Sequence, residues 1–166
     1  MIKSLILASV LVCGCTPQRV PAPAETPDRS AGATGEAVSL ERTACFGRCP
    51  VYRITVTPAG AVTYEGRANV RHIGTAAAEI SPDSVAALLR EMEQAGYFTF
   101  SDRYAVSEPT CRRYTTDSPS AISSATFRGR TKRIQHDYGC GGVPGALTVL
   151  EQRIDEVLHS DQWTGR

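Results

Sequence analysis

The chain has 166 residues, a net charge of +1 and 42% hydrophobic residues. That length suits one domain and is too short for two well-built cores. Without the N-terminal segment that carries Lys3, 17 basic residues face 17 acidic ones, which excludes the basic face that nucleic acid requires.

Met1 to Cys15 reads M-I-K-S-L-I-L-A-S-V-L-V-C-G-C. One lysine precedes an apolar core from Leu5 to Val12, well short of the roughly 20 residues of a membrane-spanning helix. This is the form of a secretory signal, and residues 1–15 are expected to be one. The segment ends Leu11-Val12-Cys13-Gly14-Cys15 and resembles the lipobox of bacterial lipoproteins. There, a small residue precedes the cysteine that is lipidated and becomes the new N-terminus. Gly14 and Cys15 match; Cys13, behind bulky Val12, is the poorer acceptor. The resemblance implies acyl chains, palmitate among them, on Cys15, and more than one chain gives stable anchoring. Thr16 rather than Asp after the cysteine implies the outer membrane, facing the periplasm.

Residues 16–37 are rich in Pro, Ala, Thr and Gly. Such a segment cannot bury enough apolar surface to offset its ordering entropy, so a disordered tether is expected. Its 22 or so residues would reach some 70 Å at roughly 3.1 Å each, or nearer 25 Å as a coil.

A single domain is expected over residues 38–166. Val38 to Arg42 reads as a short lead-in strand. Val51 to Thr57 alternates, with Tyr52, Ile54 and Val56 on one face and Arg53, Thr55 and Thr57 on the other. Pro58-Ala59-Gly60 turns the chain, and Ala61 to Gly66 returns as the second strand of a hairpin. Arg67 to Ile73 is expected to extend the sheet. Ser81, Pro82 and Asp83 open a helix. Val85, Leu88, Leu89 and Met92 form its buried stripe and Gly96 ends it. Ser101 to Pro119 is polar and irregular. A second hairpin, Ala121–Phe127 and Thr131–Tyr138, turns at Gly129. Pro144 starts a second helix with Leu147, Leu150, Ile154, Val157 and Leu158 inside, and Trp163 closes the chain. Hairpin, helix and aromatic cluster thus occur twice. The expected fold is α+β: a two-layer sandwich, with an antiparallel sheet of about four strands from two hairpins and two helices on one face, as a ββα pseudo-repeat. The other sheet face, with Arg53, Thr55, Thr63, Glu65, Arg133 and Gln135, is expected to be open to water. Arg53, Glu65, Arg133 and Gln135 are its candidate binding residues.

The least random stretch is C-F-G-R-C-P-V-Y, from Cys45 to Tyr52. Gly47 permits a tight bend, Pro50 fixes the exit, and the plain reading is a small stapled loop that launches a strand. With Cys13 removed and Cys15 acylated, Cys45, Cys49, Cys111 and Cys140 remain, and an even number in an oxidising compartment points to two disulfides. Three pairings are open to four cysteines. The run resembles the Cys-Phe-Gly-x-Cys-Pro-x-Tyr signature of the bacterial domain-of-unknown-function family numbered 6438, over roughly Val38 to Trp163. The resemblance implies a secreted or lipid-anchored envelope protein and brings no activity with it. It favours Cys45–Cys49 and Cys111–Cys140, because each pair is then self-contained; the longer loop would contribute about 3.5 kcal/mol and the shorter about 2.

Other chemistries find little support. Active dithiols sit as C-x-x-C at a helix N-terminus, whereas here a strand follows Cys49. A zinc site needs two close-spaced pairs. His72, His136 and His159 share no ligand spacing, and His136 and Asp137, adjacent in a strand, project to opposite faces. No cofactor or metal is expected. The sequence therefore reads as a lipid-anchored envelope protein with a non-enzymatic binding or structural domain. Its partners would be the membrane, through the lipid, and an envelope protein or cell-wall component. The alternative is a periplasmic thiol-redox or hydrolytic enzyme.

Overall fold

The computed structural model describes residues 35–165. The expected signal peptide, Cys15 and nearly all of the expected tether lie outside them. In chain order the elements are β1 (Val38–Arg42), β2 (Val51–Val56), β3 (Ala61–Ala68), β4 (Gly74–Glu79) and α1 (Pro82–Gln94). After a 3-10 turn at Tyr97–Thr99 come β5 (Arg103–Tyr104), β6 (Arg113–Tyr114), β7 (Ser120–Phe127), β8 (Arg130–Asp137) and β9 (Cys140–Gly141). Two helices, α2 (Gly145–Val157) and α3 (Asp161–Thr164), close the chain.

Both expected hairpins form, β2 with β3 and β7 with β8, each antiparallel. They do not join directly. β1 lies between them, antiparallel to β2 on one side and to β7 on the other. The sheet has seven strands in the order β4-β3-β2-β1-β7-β8-β5 rather than about four, and β6 pairs with β9 separately. Val38, Ser39 and Leu40 are all buried. A strand buried on both faces shows no alternation, so its central place has no periodic signature. The strand expected over Arg67–Ile73 is not there. β3 runs on to Ala68, Asn69 takes a left-handed φ of 55°, and the chain resumes as β4. β4 reads G-T-A-A-A-E and lacks the β-branched and aromatic residues that mark strands.

Along β2 and β3 the burial alternates, with Tyr52, Ile54, Val56, Val62 and Tyr64 inside. At the turn between them a Cβ on Gly60 would lie 2.0 Å from the Ile80 carbonyl oxygen, and φ there is +93°, so only glycine fits. In α1, Ser81 Oγ accepts the Ser84 N–H at 3.0 Å, and Val85, Leu88, Leu89 and Met92 are buried. In α2, Leu147, Leu150 and Ile154 are buried, and so is Glu151. These stripes share one core with the inner side chains of the large sheet. Ahead of Val38, Ala37 is buried and Glu36 pairs with Arg53 at 2.9 Å. Among the described residues, no helix is long and apolar enough to cross a membrane.

Candidate functional site

Cys45 is bonded to Cys49, and the five-residue loop they close holds Phe46 out in solvent, 89% exposed. The Phe46 N–H donates to Asp117 O at 3.1 Å, and Asn69 Nδ2 donates to Cys49 O at 3.0 Å, so both sides of the loop are tied down. Pro50 then leads into β2, and strand alternation turns Tyr52 inward. Cys111 is bonded to Cys140, where β6 meets β9.

Tyr52 opens onto a cleft of about 340 Å³ at the end of the sheet. Arg42 at the end of β1, Ser120 at the start of β7 and Tyr138 just past β8 form its sheet side, with Cys49, Pro50 and Pro119 at the rim. Gln152 and Asp155 of α2, with Ser160 and Thr164 beyond it, form the helical side. Behind Tyr52 the rings continue as a stack, Tyr52 to Tyr64 at 5.6 Å and Tyr64 to Trp163 at 4.9 Å between centroids.

A hydrogen-bond chain runs from the cleft into the core. Tyr52 donates to Asp155 Oδ1 at 2.5 Å. Arg42 donates to Asp155 Oδ2 from Nε at 3.3 Å and from Nη2 at 2.8 Å, to the Glu151 carbonyl at 3.2 Å, and to the Tyr138 hydroxyl. Tyr138 donates to Glu151 Oε2 at 2.7 Å. Glu151, fully buried, meets His136 Nδ1 with both oxygens at 3.0 and 3.1 Å. The His136 ring stacks on Tyr138 with centroids 4.4 Å apart. Each buried charge thus has an ionic or hydrogen-bonding partner, the condition for keeping it in a low-dielectric interior.

The electrostatics follow from these contacts. Burial, with the Asp155 carboxylate adding to it, pushes the Tyr52 phenol well above the usual tyrosine value. Burial does the same at Tyr138, where Arg42 opposes and Glu151 reinforces the rise. Burial acts against the Arg42 charge, but Asp155 and the two phenols outweigh it and hold the guanidinium protonated. Both phenols therefore act here as neutral donors and not as bases. Asp155 balances the Arg42 charge, so the cleft presents no free cation to an anion. Ser120 and Gln152 add an uncharged hydroxyl and amide to its lining.

Of the candidate binding residues, Arg53, Glu65 and Gln135 lie in one row across the outer sheet face through the registers Glu65–Arg53–Glu41–Ile122–Gln135. Arg133 lies in the next row with Ser124, Ser39, Thr55 and Thr63. Glu36 engages Arg53, while Glu65 and Glu41 both meet Arg67. None of these four residues lines the cleft. His136 and Asp137 do project apart, yet His136 has a carboxylate partner from α2, which neighbour-by-neighbour reading could not reveal. Among the described residues, no group of three or more His, Cys, Asp or Glu side chains is arranged to hold a metal ion.

The family model for Domain of unknown function (DUF6438) matches residues 36–158. No curated protein matches the chain. The match takes in every strand, α1, α2 and, apart from Ser160 and Thr164, the whole lining of the cleft. The chain belongs to the DUF6438 family.

Proposed function

We propose that this protein is a lipid-anchored envelope protein whose domain is a non-enzymatic binding module, with the Arg42–Tyr52–Asp155 cleft as its binding site. The observation that carries the binding reading is that the cleft's charged and phenolic groups are already satisfied by one another. They fix a shape and an electrostatic pattern, and none is left as a nucleophile beside a base. Among the described hydrogen bonds, no cleft hydroxyl meets a histidine; His136 turns its Nδ1 to Glu151. The cleft size fits a small ligand or a short segment of a larger one.

Gly14-Cys15 after a short apolar segment supports the anchor, Thr16 supports the outer membrane facing the periplasm, and the disulfides suit that oxidising compartment. β1 runs from the side where residues 35–37 enter toward Arg42. The cleft therefore opens at the end of β1 away from residues 35–37, which suits contact with an envelope protein or the cell wall. The finer reading of the fold, a two-layer ββα pseudo-repeat, is supported by the order hairpin then helix in both halves.

Two measurements test this proposal. Metabolic labelling with a tagged fatty acid should mark the wild type and not Cys15→Ser; equal label removes the anchor. In living cells, a photoreactive residue at Gln152 should capture an envelope component that the same residue at Thr63, on the outer sheet face, does not. Capture from Thr63 alone would move the binding site to that face.

A further inference from the structure

Strand β4 is an open edge of the seven-stranded sheet. The Ile80 N–H bonds the Gly60 carbonyl at 3.0 Å, which sets the alternation of the ladder. Ala78, Ala76 and Gly74 turn their backbone groups to β3, and Thr75, Ala77 and Glu79 turn theirs outward. All three outward residues are exposed, and of their backbone groups the Thr75 carbonyl already accepts from the exposed His72 ring at 3.2 Å, with its second lone pair left for a partner strand. Natural edge strands are usually guarded by Lys, Pro, a bulge or a covering segment. β4 has no Lys or Pro, no bulge in its pairing with β3, and three consecutive alanines that let another backbone approach. The opposite edge, β5, is only two residues long.

We propose that two copies of this chain pair through β4, antiparallel about a two-fold axis at Ala77, so that one sheet continues across both. In that register Ala77 meets Ala77 of the second copy, and Thr75 meets Glu79. These are the residues whose N–H and C=O groups face outward, and Thr75 can donate its hydroxyl to the Glu79 carboxylate of the second copy. Charge selects the same arrangement. The open edge is basic at its start, with Arg71, and acidic at its end, with Glu79 and Asp83. Arg71, Glu79 and Asp83 make no ion pair among the described residues. Antiparallel pairing lays the basic end of one copy on the acidic end of the other, whereas parallel pairing would set like on like.

Sedimentation of the full mature chain, up to about 200 µM, would detect dissociation constants of micromolar order. We expect dimers that become monomers with Ala77→Pro and with Ala77→Lys. The Ala77 N–H points away from β3, so proline there spares the ladder to β3. If Ala77→Pro nevertheless lowers the melting temperature sharply, Ala77→Lys alone decides. Glu79→Arg with Asp83→Arg should weaken the dimer, and adding Arg71→Glu should restore it. A wild type that is monomeric across the range, or dimers indifferent to Ala77→Lys, would overturn the proposal.

Discussion

Asp155→Asn removes one charge and almost no volume from the wall of the cleft. In the wild type the carboxylate accepts Tyr52 on one oxygen and two Arg42 nitrogens on the other. The Arg42 and Asp155 side chains are only 16% and 21% exposed. Asparagine keeps one oxygen acceptor and sets an N–H₂ group against the guanidinium or the phenol. Removing one partner from a fully buried pair costs about 3–5 kcal/mol, because the other charge stays buried and uncompensated. Partial solvent access lowers that, and we expect a loss of about 2–3 kcal/mol. For a domain of this size that lowers the melting temperature by about 10 °C. Urea unfolding should show it as a midpoint shift of 1 M or more at about 1.5–2 kcal/mol per M. The apolar double variant Arg42→Met with Asp155→Leu should recover much of the loss, since neither charge is then stranded. A change below about 0.5 kcal/mol in Asp155→Asn, the range of ordinary surface substitutions, would refute the view that this pair is structurally coupled to the cleft.

Tyr64 Oη is the single buried polar side-chain atom among the described residues without a hydrogen-bond partner. Tyr64→Phe should therefore be neutral or stabilising by up to about 1 kcal/mol in thermal unfolding, and a loss above that would mean the hydroxyl is satisfied by solvent. Tyr52, Tyr97 and Tyr138 all have phenol values raised above the unfolded value of 10.0, with burial the first cause at each. Their protons stay on the native state while the unfolded chain loses its own, so stability present below pH 10 must fall as the pH rises beyond it. Each such tyrosine contributes a slope of up to about 1.4 kcal/mol per pH unit. Tyrosinate absorbance should appear together with unfolding; ionisation of these three in the folded protein near the normal value would contradict their burial. Arg53→Gln with Arg133→Gln should cost about 1 kcal/mol or a little more, because the Arg53–Glu36 pair is partly buried but glutamine can still donate to Glu36. It should also leave binding at the cleft unchanged; lost binding would place the site on the outer face.

What the sequence made legible was whatever local physics decides. Ser81, Pro82 and Gly96 bound α1, and the alternation of Tyr52, Ile54 and Val56 gives the strand and its buried face. The cleft was not legible, although three of its parts, Cys49, Pro50 and Tyr52, stood in the most distinctive run. Its chemistry depends on partners far apart in sequence, Arg42 with Asp155 and His136 with Glu151. Glu151 sits inside the apolar stripe of α2, where only the tertiary contact with His136 and Tyr138 explains a buried carboxylate. Arg42 reads only as the last residue of a lead-in strand, because nothing local shows that β1 is central. β4 escaped notice because alanine carries little strand signal, and pairing with β3 overrides that weak preference.

The proposed place where this domain meets its ligand is the cleft beside the Cys45–Cys49 loop. Amide chemical-shift mapping of the isotope-labelled mature chain, titrated with a soluble extract of the cell envelope, addresses it residue by residue. Concentration-dependent shifts are expected to concentrate at Thr43, Ser120, Gln152 and Ser160, with the row of Thr63, Thr55 and Ser124 unmoved. Shifts confined to that outer row, with the cleft silent, would contradict it.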